Sequence, residues 1–451
     1  MISKYLIWTS VLIMNLLMFS SCLNSTDEGE LDYSPDAQIY SFSMASRADT
    51  TNVLSTTVFT IDQVNGKIFN KKPLPYKFHV DSVVLNIRGA STFSPFTNVS
   101  IELLPEYTIS WSQSDSINVS RLNRITTTAP DGKNKKTYQF QLNIYQQDPY
   151  ILSWKKVSES YFPQEVSQQK TVAFNDFFIT YYIANETINA KASPIGDAKS
   201  WTSATLSGLP PTTQLSTMTV AENDIFVIEE DSTLFKSSDG VSWTQVTTEF
   251  PIVAIYGVFP SATKGDILAI INDNGILKLA ETDDFTNLQI MELSSGVNLS
   301  DLPVKDFTAT QIESTTSFGI RYIAIAGGIR ADNSYNSDIW ILQEKDSKIF
   351  ELNSKKPGTI SLDGSSIFFY DEKPYLLLAS SENNILLYSG NNGTEWKTTE
   401  ENQALPSDFD YRKNATVITE NDNIWIFGGV SKAQVQITDV WKGRLNKFDL
   451  N

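Results

Sequence analysis

Ser237-Ser238-Asp239-Gly240-Val241-Ser242-Trp243 ends one strand and starts another within seven residues. Short polar side chains in such a run bond to their own backbone, glycine takes a shape other residues avoid, and tryptophan brings apolar surface to bury. Upstream lies Thr233-Leu234-Phe235-Lys236, reached through the hairpin residues Glu229-Glu230-Asp231. Before that come Met218-Thr219-Val220 and Asp224-Ile225-Phe226-Val227-Ile228. These are short strands by their β-branched and aromatic content and their turn-rich boundaries. The turn returns far downstream as Ser389-Gly390-Asn391-Asn392-Gly393-Thr394-Glu395-Trp396, one residue longer and with Asn391 in place of Asp239.

The whole unit recurs. A proline after a bulky residue appears as Phe162-Pro163, Leu209-Pro210, Phe250-Pro251, Leu302-Pro303, Lys356-Pro357 and Leu405-Pro406, at intervals of 47, 41, 52, 54 and 49 residues. Trp154, Trp201, Trp243 and Trp396 each precede one of these prolines by eight to ten residues. A period near 50 residues with several strands per repeat predicts a β-propeller. Residues 150–451 are therefore expected to form six blades. The last repeat stops at Phe448 after three strands. The strand near Trp154 is expected to complete it, hiding an edge that would otherwise be open.

Two resemblances sharpen this reading. The turns around Asp239 and Asn391 resemble the Asp-box of propellers, Ser-x-Asp-x-Gly-x-x-Trp, with Ser237, Asp239, Gly240 and Trp243, then Ser389, Asn391, Gly393 and Trp396, as structural positions. Gly327-Gly328 with Asp338-Ile339-Trp340, and Gly428-Gly429 with Asp439-Val440-Trp441, resemble kelch repeats. What they imply is an all-β chain ending in a six-bladed kelch-like propeller.

Residues 36–149 read as a separate β domain. Val58-Phe59-Thr60-Ile61, Lys67-Ile68-Phe69, Val83-Val84-Leu85-Asn86-Ile87, Val99-Ser100-Ile101-Glu102-Leu103 and Tyr138-Gln139-Phe140-Gln141-Leu142 alternate as strands, with Asn65-Gly66 and Asp131-Gly132 as turns. Lys77-Phe78-His79-Val80 is strand-like too. Strands at this spacing suggest an Ig-like β-sandwich. The run from Phe59 through Gly66, Lys67, Ile68 and Phe69 to Leu74-Pro75 resembles the N-terminal module of Bacteroidetes surface lipoproteins to which no activity is assigned.

The first 21 residues carry Lys4, the apolar run from Tyr5 to Phe19, and Ser20-Ser21 before Cys22. This is the pattern of a signal peptide, too short to span a bilayer comfortably. Phe19-Ser20-Ser21-Cys22 resembles a lipobox, which implies lipidation at Cys22 and attachment to a membrane by a lipid anchor. Residues 22–35 then form a flexible tether, whose acidic residues Asp27, Glu28 and Glu30 resemble a surface-export signal. The expected location is the outer membrane, facing the cell exterior.

Composition removes other classes. A net charge of −17 opposes nucleic-acid binding, which needs a basic face. With one cysteine and one histidine (His79), neither a disulfide, a zinc cluster nor a Ser–His triad can be assembled around more than a single group. No cofactor or metal is expected, although Asn272-Asp273-Asn274-Gly275 and the 332–338 loop are rich in oxygen ligands. A sialidase-like glycosidase would need an arginine cluster, and the propeller holds only Arg321, Arg330, Arg412 and Arg444. The expectation is a non-catalytic module for a glycan or surface protein, with a structural subunit as the alternative. The loops 329–337 and 430–438 are placed on one face, and Arg330, Asp332, Tyr335, Asn336 and Arg412 are the ligand-binding candidates.

Overall fold

A computed structural model of the chain describes residues 33–449, except positions 80, 106, 164, 222, 260–265, 314–319 and 357. The signal segment, Cys22 and the acidic residues of the tether lie outside the described residues. No described helix is long and apolar enough to cross a membrane. The chain divides into two compact units, Met1–Asp148 and Pro149–Asn451.

In the first unit a six-stranded sheet runs in the order Phe59–Asp62, Lys67–Asn70, Lys135–Gln141, Leu122–Thr128, Asn98–Leu103 and Tyr107–Ser110. Ser41–Ala45 and Val84–Arg88 form a second, two-stranded sheet. Alternate residues of both face one core, where Met44, Ile68, Leu85, Ile101, Ile125 and Tyr138 are almost wholly buried. The pairing of Lys67–Asn70 with Lys135–Gln141 is parallel, unlike its antiparallel neighbours. Residues 77–79 are not a strand. Lys77 takes a left-handed turn at φ 59°, and His79 is exposed on a loop 3.1 Å from Asp81.

The second unit is a β-propeller. Among its described residues are six sheets, each with four strands in antiparallel succession. Their innermost strands are Gln168–Phe174, Thr213–Ala221, Ile252–Phe259, Pro303–Ile312, Ser366–Tyr370 and Thr416–Glu420. Each inner strand meets the next, and the sixth meets the first, so the sheets form a ring. The fourth sheet gains a short parallel strand, Glu292–Leu293, along its outer edge.

Burial explains the sequence pattern. Second strands such as Asp224–Glu229, Lys373–Ala379 and Asn423–Phe427 are continuous apolar runs, because adjacent sheets cover both their faces. Inner strands instead mix Ser, Thr and Gln with apolar residues, since one side faces the channel. The outer strand of the sixth sheet comes from the other end of the unit. Leu152–Ser158 pairs antiparallel with Val440–Leu445, and Trp154 lies opposite Gly443.

Candidate functional site

Strand order decides which loops share an end of the ring. If a first strand starts at one end, the link from second to third strand returns there, and the turn from third to fourth lies opposite. The loops after Arg321–Arg330 and after Asn423–Phe427 are links of the first kind. Val430 and Gln436 accordingly line a cavity with the inner-strand starts Gln168, Lys305 and Thr416.

That cavity has a volume of about 600 Å³ and forms one mouth of the channel. It continues into a second space of about 560 Å³ along which all six inner strands contribute residues. Its walls are amides and hydroxyls, interrupted by two lysines, Lys170 and Lys305, and two carboxylates, Glu230 and Asp306. Partial burial in the wall pulls the Lys170 ammonium below the usual lysine value, against the pull of the Asp306 charge. Two lining residues, Ser365 and Gln436, carry buried side-chain oxygens that have no hydrogen-bond partner. Phe307 adds part of a ring, held edge-on against Tyr256 at 5.0 Å.

The candidate residues divide by what they touch. Tyr335 is 70% exposed. It lies close enough to raise the pKa of Lys413 slightly, whose main cause is the hydrogen bond to Asp363, and Asn414 beside it lines the mouth. Asp332 is exposed and caps its own loop, and hydrogen bonding by Ser334, first its side chain and then its amide at 2.9 Å, lowers its pKa. Arg330 donates to the Asp301 carbonyl at 2.7 Å and reaches Asp338 at 3.2 Å, leaving it one-fifth exposed.

Asn336 and Arg412, expected on the binding face, lie inside the fold instead. Asn336 is buried: its amide donates to the carbonyls of Gly327 and Asp338, and its oxygen accepts from Trp340 Nε1 at 3.0 Å. Arg412 is fully buried, stacked 4.2 Å from the Phe409 ring and forked onto both Asp439 oxygens at 2.5 and 3.2 Å. Asp439 also accepts from Trp441 Nε1. Breaking a buried pair of this kind costs about 3–5 kcal/mol, which keeps Arg412 inside the fold, and Asn336 is taken up by its own buried hydrogen bonds.

The Asp-box-like turns sit at the opposite end and fasten the ring. Asp239 accepts from the amides of Val241 and Ser242 at 2.8 and 2.7 Å, which holds its carboxyl down at about 2. Asn391 binds the Glu395 amide in the same way at 3.0 Å. Gly240 and Gly393 have φ of +80° and +83°, and a Cβ at either would lie 2.5 Å from Ile179 or Ile341 of the preceding sheet. Trp243 and Trp396 are both buried against that preceding sheet. Sequence reasoning missed Lys170, Asp306, Ser365 and Gln436. Their only signal is polarity at the starts of inner strands or in the loops between them.

Residues 148–451 match the family model described as DUF6242 beta propeller domain, and residues 36–142 match that of the DUF6242 N-terminal domain. No curated protein matches the chain. Among solved structures, one described as "Structure of YjhT" is 11% identical, covering 63% of this chain and 96% of its own at a TM-score of 0.42. "YCF48 bound to D1 peptide" is 11% identical, covering 68% and 88%, with a TM-score of 0.33. A Trypanosoma rangeli sialidase mutant displaying trans-sialidase activity is 11% identical, covering 66% and 60%, with a TM-score of 0.40.

Proposed function

This chain belongs to the DUF6242 family, and on that premise we propose that it is a non-catalytic binding module working through the channel-mouth face of its propeller. One observation carries the reading. The mouth gathers hydrogen-bonding side chains from several sheets, two of them (Ser365 and Gln436) with orphaned oxygens, and the exposed Tyr335 stands on a loop at that end, whereas Asp239 and Asn391 at the other end are engaged with their own turns. The six sheets are read as six kelch-like blades and the first unit as an Ig-like sandwich. The chain would be a surface lipoprotein of the Bacteroidetes kind, acylated at Cys22 and held at the outer membrane. A glycan or a surface protein is the ligand class.

The arginines argue for binding over glycoside cleavage. Arg321 is held by Asp266, Glu281 and Glu344, Arg412 by Asp439, and Arg330 by Asp301 and Asp338. None of these three is poised to receive a substrate carboxylate. A structural subunit is the second reading, favoured by Phe93 and Val64 of the first unit, which are 99% and 92% exposed.

The test is a glycan array and a pull-down with the full chain, repeated with Tyr335→Ala. An exposed aromatic anchor at a binding surface predicts about a tenfold loss of affinity on truncation. Undiminished binding by this variant would move the site away from the mouth face.

A further inference from the structure

The contents of the channel mouth narrow the ligand class, on the reading of this face as a binding surface. A cavity of about 600 Å³ falls in the range of small-ligand sites, roughly 300–1,000 Å³. Most such sites are apolar, and this one is not. Its charges are balanced, with Lys170 and Lys305 against Glu230 and Asp306, inside a chain of net charge −17. A local balance of this kind attracts neither a polyanion nor a polycation.

Between the charges stand groups that both give and take hydrogen bonds. Gln214 and Gln436 offer amides, and Ser365 offers a hydroxyl. Ser365 is almost wholly buried, yet its Oγ has no partner; Gln436 is only half-buried, but its Oε1 is covered and has no partner either. Leaving a buried polar atom unsatisfied costs about 1–3 kcal/mol, so a partner is wanted at this place. Phe307 contributes a small apolar surface among these groups, its ring fixed by Tyr256.

We propose that the channel mouth is a saccharide subsite, taking a neutral sugar unit whose hydroxyls bridge Lys170, Asp306, Ser365 and Gln436 while its C–H face meets Phe307. A sugar ring presents the required set: several hydroxyls, each donor and acceptor, around an apolar face, with no net charge.

The full chain is titrated calorimetrically with maltotriose, cellotriose, mannotriose and N-acetylchitotriose, and with glucuronic acid and spermidine as anionic and cationic counterparts. At least one neutral trisaccharide is expected to bind saturably. Ser365→Ala and Lys170→Met should each weaken it about tenfold. Ser365→Ala should also leave the thermal midpoint unchanged or raised, because the hydroxyl it removes has no partner in the fold; a purely structural hydroxyl would give the opposite shift. No binding by any neutral trisaccharide overturns the proposal, as does binding confined to glucuronic acid or spermidine. Binding that survives both substitutions but falls with Tyr335→Ala would overturn the subsite while leaving the mouth face as the binding surface.

Discussion

Glu281 sits in a knot of charge remote from the mouth residues. Its carboxylate meets Arg321 at 2.5 Å, but the same guanidinium also serves Asp266 at 2.5 Å and Glu344 at 2.8 Å. One cation cannot neutralise three acids, two of which, Glu281 and Glu344, are buried. Burial, with the Asp266 and Glu344 charges, raises the Glu281 pKa to about 7 despite Arg321. The folded chain then keeps a proton that the unfolded chain has already released. The stability this gives is fully present below the ordinary carboxyl value and is lost as pH rises through about 7. The thermal midpoint should climb as pH is lowered from 8 to about 5, and Glu281→Gln should flatten that slope. Equal slopes in the two proteins would place the titration elsewhere.

Residue-scale roles were legible where their partners are close in sequence. The part played by Asp239 follows from amides two and three positions ahead of it. Arg412 reads as a surface cation because its partner Asp439 lies 27 positions away, across a loop whose folding brings the two together. A loop arginine reads as exposed until that partner is located.

At the scale of elements, the decisive strand is Leu152–Ser158. It covers the edge of Val440–Leu445, and its Trp154 ring fills the space above Gly443, where a Cβ would stand 2.6 Å from the ring. Without it the sixth sheet has an open edge and the ring loses a packed aromatic. A chain beginning at Ser167 should therefore unfold over a broader range and at lower temperature than one beginning at Asp148. Calorimetry on the two decides it, and coincident transitions would mean that the strand does not hold the ring. The repeat period made the propeller legible, because a proline-bearing unit of near-constant length recurs along the chain. The parallel pair in the first unit left no such trace. Lys67–Asn70 and Lys135–Gln141 are far apart in the chain, and parallel strands are not joined by a short turn that sequence could announce.

Over the whole molecule, the two ends of the propeller ring carry different work. One end carries the turns at Asp239 and Asn391, which dock the second and fifth sheets on their predecessors, and the other gathers polar groups from several sheets around an opening. The opening was not legible because no contiguous stretch encodes it. Its residues come from inner-strand starts and loops of separate repeats, each innocuous alone. Amide hydrogen exchange of the full chain, with and without the trisaccharide that binds most tightly, tests this division most directly. Slower exchange is expected at 303–308, 365, 414–416 and 430–436, with no change at 237–243 and 389–396. Protection at the turns, or in residues 36–142 alone, would contradict a binding face at the channel mouth.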